Sequence, residues 1–279
     1  MVEQDVTAPA AMAPLTSAEL KTGQSHDHPF ISRTFLAPRC SCRTLDTYWA
    51  RRSVLRHLQA VLPRFSGTLL DIGCGQMPYR PVVLAAPSQV NRYIGLDFDG
   101  ATLLSADQRP LYRNVPDLTW DGQQIPLPEN SVDCAMATEV LEHCADPENV
   151  LREIRRVMKP GGVFFFTVPF LWPLHDLPHD EYRYTPFALR RHLQNAGLVD
   201  ISLTPTGGWN ASLAQMIGLW ARRRPMARIY RPIVCAFALP LIRILTTFDA
   251  LPSLGEGTPM ITGLAGTATK PSALPSRSG

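Results

Sequence analysis

Short apolar runs alternate with amphipathic stretches through the middle of the chain. The runs have the length of buried strands and lie at residues 68–72, 92–97, 132–137, 163–168 and 201–203, with a less regular run at 115–118. Between them, apolar residues recur at helical spacing, most clearly at Val150, Leu151, Ile154, Val157 and Met158. Because parallel strands need a helical crossover, this alternation predicts an α/β fold with a doubly wound, mostly parallel sheet and helices on both faces.

Capping signals mark the ends of two predicted helices. Asp146-Pro147 predicts an N-cap followed by the first helical residue, and Lys159-Pro-Gly-Gly162 is expected to end that helix. Thr185-Pro186 predicts the start of the next helix, which Gly197 is expected to end. These signals support the helical crossovers independently of the hydrophobic pattern.

The same pattern divides the chain into four parts. Residues 1–40 are rich in Ala, Pro, Ser and Thr, lack periodicity and are expected to form a flexible tail. Residues 41–208 hold the alternating core, which a helix over 47–62 is predicted to cover. Residues 209–250 are apolar with several arginines and predict helical pieces, whereas 251–279, rich in Gly, Pro, Ser and Thr, predict a second flexible tail.

Two interpretations of residues 209–250 stay open. The segment could form a helical lid over a crevice, or it could lie at a membrane surface with its arginines towards anionic lipid. Pro225, Pro232 and Pro240 argue against one long amphipathic helix. No run in the chain reaches the roughly 18 apolar residues of a spanning helix, and the first residues lack a signal-peptide pattern. We therefore expect a cytoplasmic protein in which this segment is the one candidate for peripheral membrane contact.

Composition argues against two kinds of partner. The net charge is +3, and no basic stripe interleaved with aromatic residues is present, so we expect no nucleic-acid partner. The six cysteines are scattered without the spacing of a zinc knuckle, which suits a reducing compartment. His175, His179 and Asp180 could act as metal ligands, but they match no recognisable ligand pattern, and we expect no metal.

A glycine turn follows the first predicted strand, and its ligand is the central question. Gly73 and Gly75 allow backbone N–H groups to approach a ligand closely, although a tight turn without a ligand is also possible. A dinucleotide-binding turn would carry a third glycine where this chain has Pro78. An NAD(P)-dependent oxidoreductase is therefore an alternative that this position argues against. Asp97, at the end of the second strand, could accept both hydroxyls of a ribose, with Asp99 as a competitor.

The ends of the predicted strands should meet in one crevice. In parallel sheets, ligands bind outside the carboxyl ends of the strands. The glycine turn, Asp97, the segment after Ala137 and the loop after Val168 all lie at such ends.

Five motifs in order resemble the class I S-adenosylmethionine-dependent methyltransferases, in particular the subgroup close to the ubiquinone-biosynthesis enzymes (methyltransferase type 11). The motifs are 69–75, 93–97, 121–133, 139–143 and 151–162. The resemblance implies a Rossmann-like fold, S-adenosyl-L-methionine as cofactor, and methyl transfer to a small-molecule, glycan or lipid-linked acceptor, with oxygen as the favoured atom. A non-catalytic cofactor-binding module of the same fold is a further alternative.

The resemblance also implies which residues hold the methionine end of the cofactor. The backbone of Gly73, Cys74 and Gly75 would contact it, near Asp71. The family often has a glycine where this chain has Met77, which makes the loop stiffer and bulkier.

Contacts to the rest of the cofactor follow from the later motifs. By the resemblance, Asp97 would bind the ribose hydroxyls, and Asp121 would face the adenine amino group. Gly122 would supply a backbone contact, and Glu139 would lie beside the sulfonium.

An oxygen nucleophile with a high pKa needs a base, and histidines cluster near the predicted crevice. His143 follows the fourth strand, while His175 and His179 lie in the loop after the fifth. Imidazole suits proton abstraction near neutral pH, so these three are the candidate catalytic residues. Tyr182 and Arg183, in the same loop, could orient an anionic or sugar-bearing substrate. All five could instead form hydrogen bonds that only stabilise the loop.

Overall fold

The computed structural model describes residues 32–98, 115–255 and 257–272. Its strands are β1 Ser66–Ile72, β2 Gln89–Phe98, β3 Leu118–Trp120, β4 Val132–Thr138, β5 Met158–Pro169, β6 Val199–Pro205 and β7 Gly263–Thr269. In the described part of the chain they form one sheet in the order β3-β2-β1-β4-β5-β7-β6. Strands β1 to β5 pair in parallel, and β7 runs antiparallel to both β5 and β6. The predicted mostly parallel sheet is confirmed.

Helices cover both faces of this sheet. They are α1 Tyr48–Val61, α2 Arg80–Val83, α3 Pro147–Val157, α4 Pro186–Asn195, α5 Trp209–Arg223 and α6 Arg231–Thr247. On β5, Phe164 and Phe166 pack in one hydrophobic cluster with α3 and α4, while Phe165 packs in a second cluster with α1 and α2. A strand buried on both faces reads as a continuous apolar run, which is why β5 could be predicted from its composition.

The capping signals are confirmed at three of four helix ends. The Asp146 side chain accepts the N–H of Asn149 at 2.9 Å, and Thr185 caps α4 in the same way. Gly197 follows α4 with a φ of +78°. The expected helix stop at Lys159–Gly162 is wrong, because α3 ends at Val157 and this segment already belongs to β5. Gly161 and Gly162 exchange backbone hydrogen bonds with Lys270, so pairing with a distant segment extends the strand.

The expected C-terminal flexible tail, 251–279, is wrong for residues 263–269, which form β7 between β5 and β6. Small residues are needed there: a Cβ on Gly266 would lie 2.6 Å from the Phe166 ring. Such a strand carries little hydrophobic signal. Its place between two distant strands comes from long-range pairing. Residues 273–279 lie outside the described residues.

The N-terminal boundary at residue 40 also needs correction. Residues 1–31 lie outside the described part, but 32–40 were expected to be tail, and Ser32–Leu36 forms a helical turn. Phe35 packs edge-on against Tyr79, with ring centroids 5.9 Å apart, and the Arg51 guanidinium lies 4.0 Å from the Phe35 centroid. These aromatic contacts are made by residues far apart in sequence, so local composition did not reveal them.

Residues 209–250 form two helices between β6 and β7, as the prolines suggested. Pro225 lies in the connection and Pro232 at the start of α6, whereas Pro240 lies within α6. Small residues of the two helices, including Ala214 and Ala238, pack together against Leu45. None of the described helices has the length and apolar character needed to cross a membrane.

Candidate active site

The carboxyl ends of β1, β2 and β4 lie side by side. Strand pairing sets Ile72 beside both Leu96 and Ala137, so the residues that follow these three strands share one edge of the sheet. The predicted convergence of the glycine turn, Asp97 and the segment after Ala137 is therefore confirmed.

The two glycines of the turn serve different purposes. Both have positive φ, +64° at Gly73 and +49° at Gly75, a conformation that favours glycine. A Cβ on Gly73 would lie 2.5 Å from Val140, so packing requires glycine there. At Gly75 a Cβ would meet no described atom within 4 Å. Gly75 therefore presents bare backbone to open space, as a ligand cradle requires.

Cys74 and Met77 pack beneath the turn rather than beside a ligand. Both are buried, and a Cβ on Gly95 would lie within 3 Å of either sulfur atom. Met77 reaches this position with a φ of +52°. The bulky residue thus fills space over β2, and its side chain does not occupy the open side of Gly75. The predicted cofactor contact of Cys74 is limited to its backbone.

Asp97 holds the turn from the neighbouring strand. One carboxylate oxygen accepts the Gly75 N–H at 3.1 Å, and the other accepts the Phe98 N–H at 2.9 Å. Burial raises the pKa of Asp97, while these two hydrogen bonds oppose the rise. A carboxylate oxygen accepts more than one hydrogen bond, so Asp97 can still accept those of a diol. Asp99, its competitor, lies outside the described residues.

Asp71 lies below the crevice. Its carboxyl group is buried and accepts a hydrogen bond from the Tyr93 hydroxyl on β2. Burial raises the pKa of Asp71 to about 8, which the Tyr93 hydrogen bond opposes and the nearby Asp97 charge reinforces. Its second oxygen, Oδ1, has no hydrogen-bond partner among the described residues. Asp71 is thus a buried, mostly protonated support at neutral pH.

Asp121 and Gly122 form the turn after β3, which pairs with the end of β2. The exposed Asp121 accepts the N–H groups of Gln123 and Gln124, and these bonds lower its pKa. Gly122 has a φ of +82°, and a Cβ there would lie 2.7 Å from the Phe98 ring. The adenine contact of this turn stays a prediction.

Glu139 follows β4 with a φ of +57°. Its N–H donates to the Thr167 carbonyl at 3.0 Å. Its side chain lines a pocket together with Ser53 of α1, Trp172 and Gln215 of α5. Burial raises the pKa of Glu139, and the positive charge of nearby Arg51 opposes the rise. A half-buried acidic group beside the crevice suits a cationic ligand.

Two of the three predicted histidines come together. The His143 and His175 rings lie edge to face, with centroids 4.7 Å apart. His143 Nδ1 lies 2.8 Å from the His179 carbonyl oxygen, and His175 Nδ1 lies 3.2 Å from the Asp180 carboxylate. Because those oxygens accept hydrogen bonds, each Nδ1 carries its proton, and each Nε2 is left as the basic nitrogen.

The third histidine does not join this pair. The His179 side chain is exposed, and its carbonyl orients His143. Among the described residues, His179 does not join His175 and Asp180 in a group of metal-ligating side chains, and Asp180 is bound to Arg183 as well as to His175, through contacts of 2.6 and 2.8 Å to the guanidinium. The Arg183 hydrogen bonds lower the pKa of Asp180 to about 2.

Tyr182 and Arg183, the predicted substrate contacts, both hold neighbouring segments of the chain. The Tyr182 hydroxyl donates to the Ala145 carbonyl at 3.2 Å, and its ring stacks on Tyr184. Besides Asp180, Arg183 donates to the carbonyl groups of Trp172 and Pro173. Their role towards a substrate stays a prediction, but their bracing of the histidine loop is direct.

Sequence reasoning missed Glu142. Its side chain is fully buried, and neither carboxyl oxygen has a hydrogen-bond partner among the described residues. Burial, and then the charge of Glu139, raises the pKa of Glu142 well above its usual range. One ligand atom each from Glu142, His143 and His175 lies within 4.8 Å of the others, so the group could share a proton or hold a metal ion. The sequence feature that could have pointed to Glu142 is the spacing Glu139-Val-Leu-Glu142, which places a second acidic residue just after the same strand.

Residues 70–166 match a family model described as a methyltransferase domain. The match begins within β1 and ends within β5, and so includes the glycine turn, Asp97 and His143. This part of the chain is therefore similar to a methyltransferase domain. The open backbone at Gly75, the Asp97 carboxylate, which can accept the hydrogen bonds of a diol, and the half-buried acid Glu139 fit a cofactor with a ribose and a cationic sulfur.

Several curated proteins are similar to this chain. A probable S-adenosylmethionine-dependent methyltransferase of Mycolicibacterium smegmatis is 35% identical over 125 residues, 44% of this chain and 46% of its own length. Malonyl-[acyl-carrier protein] O-methyltransferase of Alcanivorax borkumensis is 32% identical over 127 residues, 45% of this chain and 42% of its own. Demethylmenaquinone methyltransferase of Corynebacterium kroppenstedtii is 29% identical over 188 residues, which are 66% of this chain and 73% of its own length. The chain spans only 34% to 58% of the length of three of its relatives, the Mycolicibacterium protein among them.

Proposed function

We propose that the protein transfers a methyl group from S-adenosylmethionine to an oxygen atom of a small-molecule, glycan or lipid-linked acceptor. One observation carries this proposal: the open Gly75 backbone and the paired imidazoles of His143 and His175 follow neighbouring strands of one sheet. When bound, the cofactor supplies an electrophilic methyl group on a cationic sulfur. The order of the motifs supports placing the protein in the ubiquinone-biosynthesis-like subgroup.

The cofactor half of the proposed site uses mostly backbone groups. The backbone at Gly73 to Gly75 holds the methionine end, and Asp97 binds the ribose hydroxyls while keeping the Gly75 N–H in place. Asp121 and Gly122 contact the adenine at the neighbouring strand end. Glu139 provides a negative charge on the sulfonium side once a cation lowers its raised pKa.

The acceptor half supplies a base. A neutral imidazole accepts the acceptor's proton at Nε2, either on His143 or on His175, as the methyl group is transferred. The His179 carbonyl and the Asp180 carboxylate hold the two rings in the required tautomer. A hydroxyl acceptor needs such a base because its pKa is high, which supports oxygen as the methylated atom. Arg183 acts indirectly by holding Asp180.

A matched pair of glycine substitutions tests the cofactor site. Gly75→Ala and Gly161→Ala each add a methyl group at a residue with positive φ, +49° and +79°, where no close contact results. Both should therefore cost similar stability, about 1 kcal/mol. Only Gly75→Ala should weaken binding of S-adenosylmethionine in calorimetry, because its methyl group enters the cradle. Equal affinities for the two variants, or no binding to the unmodified protein, would contradict the assignment.

Two alternatives make different predictions. The domain match disfavours the NAD(P)-dependent oxidoreductase, which would require thermal stabilisation by NAD(P) and none by S-adenosylmethionine. A non-catalytic module would bind the cofactor yet transfer no labelled methyl group to any fraction of a lipid and metabolite extract.

A further inference from the structure

Helices α5 and α6 expose two apolar stripes. On α5 the exposed residues recur every three or four positions and are Trp209, Leu213, Met216 and Trp220. On α6 and directly after it they are Ile233, Phe237, Leu241, Ile244 and Phe248. Phe237 is 78% exposed and Phe248 is 73% exposed. We call these nine residues the apolar face.

The fold does not account for the apolar face. The buried sides of the two helices already pack through small residues such as Ala214, Ala221 and Ala238. Scattered exposed apolar residues are ordinary, but two exposed stripes on a pair of packed helices mark an interaction surface. The face therefore needs an occupant outside the described structure.

The charge around the face indicates the chemistry of that occupant. No aspartate or glutamate occurs between Asp200 and Asp249, whereas the same segment carries arginines at positions 222, 223, 224, 228, 231 and 243. Asp46 pairs with Arg222 and Arg223, and it is a single negative charge against two. The connection between the helices, with exposed Arg228, thus stays positive.

We propose that the apolar face docks the protein on an anionic membrane surface. Tryptophan and phenylalanine side chains enter the interface between headgroups and acyl chains, and neighbouring arginines contact anionic headgroups. A second copy of the chain fits less well, because a symmetric contact brings the same arginines of both copies together. A neutral membrane would leave the positive charge without a partner.

The docked helices also contact the acceptor side of the methyltransferase site. Gln215 of α5 donates to the carbonyl of Leu171, and the Arg223 guanidinium lies 5.0 Å from the Trp172 ring centroid. Leu171 and Trp172 begin the loop that carries His175. Resting on the proposed function, this connection assigns the acceptor to the lipid-linked class, since docking would hold the histidine loop within roughly one helix diameter of the membrane surface.

Vesicle flotation with the full chain tests the docking. The protein should float with phosphatidylcholine–phosphatidylglycerol vesicles and much less with phosphatidylcholine alone. Phe237→Ser should weaken partitioning about tenfold, since burying one large apolar side chain accounts for that much. Phe187→Ser is the matched control, because Phe187 is 72% exposed on α4, outside the face, and it should not change partitioning.

Charge gives a second, independent measurement. Arg228→Ala should weaken partitioning about fivefold on anionic vesicles, and added salt should reduce the difference. The proposal is overturned if neither vesicle is bound, if both are bound equally, or if sedimentation shows a dimer that Phe237→Ser dissociates. Calorimetry with S-adenosylmethionine separates the two proposals. Phe237→Ser should keep the affinity for the cofactor. If the unmodified protein floats with anionic vesicles but does not bind the cofactor, only the proposed function is refuted.

Discussion

The two ends of the crevice are built in different ways. At the end proposed to bind the cofactor, here called the cofactor end, contiguous residues from Gly73 to Gly75 present backbone, and one carboxylate, Asp97, holds them. At the end proposed to bind the acceptor, here called the acceptor end, Glu142 and His143 come from one loop and His175 from another, and their side chains meet only in three dimensions. The cofactor end is therefore built from residues that are close in sequence, while the acceptor end depends on how two loops pack.

Electrostatics separates the ends as well. The cofactor end contains Asp71, which burial keeps mostly protonated near neutral pH. The acceptor end places His143 Nε2 3.8 Å from the buried Glu142 carboxyl group, and burial lowers the pKa of His175 although Asp180 opposes this. A lowered pKa keeps His175 neutral and able to accept a proton. One end thus holds an uncharged buried acid, and the other holds an imidazole that can accept a proton.

The largest expected effect is on the acceptor end. His143→Gln should lower kcat by about 10²- to 10⁴-fold, the usual contribution of a general base. His179→Gln is the control, because its exposed ring is absent from the cluster and its carbonyl is kept. The measurement is transfer of labelled methyl groups into a lipid and metabolite extract. Equal losses in both variants would place the base elsewhere.

Substitutions at the cofactor end should change the affinity for S-adenosylmethionine. Asp97→Ala should weaken S-adenosylmethionine binding by about 10- to 100-fold, because hydrogen bonds to a charged partner are lost. Asp121→Ala should have a smaller effect, since Asp121 is exposed and already occupied by two backbone N–H groups. Calorimetry on both variants gives the comparison, and a reversed order would mean that the β3 turn dominates binding.

The smallest expected effect concerns stability and pH. The pKa of Asp71 is about 8 in the folded protein against 3.8 ordinarily, so the folded state holds the proton more tightly. The free energy of unfolding should therefore fall as pH rises through this window. Asp71→Asn should remove this loss. The free energy of unfolding of the variant minus that of the unmodified protein should therefore be larger at pH 7 than at pH 5, by roughly 1–3 kcal/mol. Denaturant titrations at both pH values provide the measurement; parallel curves would show that Asp71 is not protonated.

The cofactor end was largely predictable because its signals are local. Gly73, Gly75 and Asp97 stand at strand ends that the hydrophobic pattern located, and parallel pairing places such ends together. The exception is Asp71, whose burial beneath the turn depends on Tyr93 from the next strand. The acceptor end was predictable only as a set of residue types. The separation of His179 from the pair, and the burial of Glu142, depend on how two loops pack.

By itself, the sequence determined the alternation of strands and helices, the glycine turn and the capped helices, because these depend on neighbours within a few residues. Tertiary structure alone decided that residues 263–269 become a strand, that Met77 packs beneath the turn, and that Arg183 holds Asp180 beside His175. It also decided which side of α5 and α6 stays apolar and exposed. Those outcomes depend on partners distant in sequence, and small or polar residues reveal such partners poorly in a linear pattern.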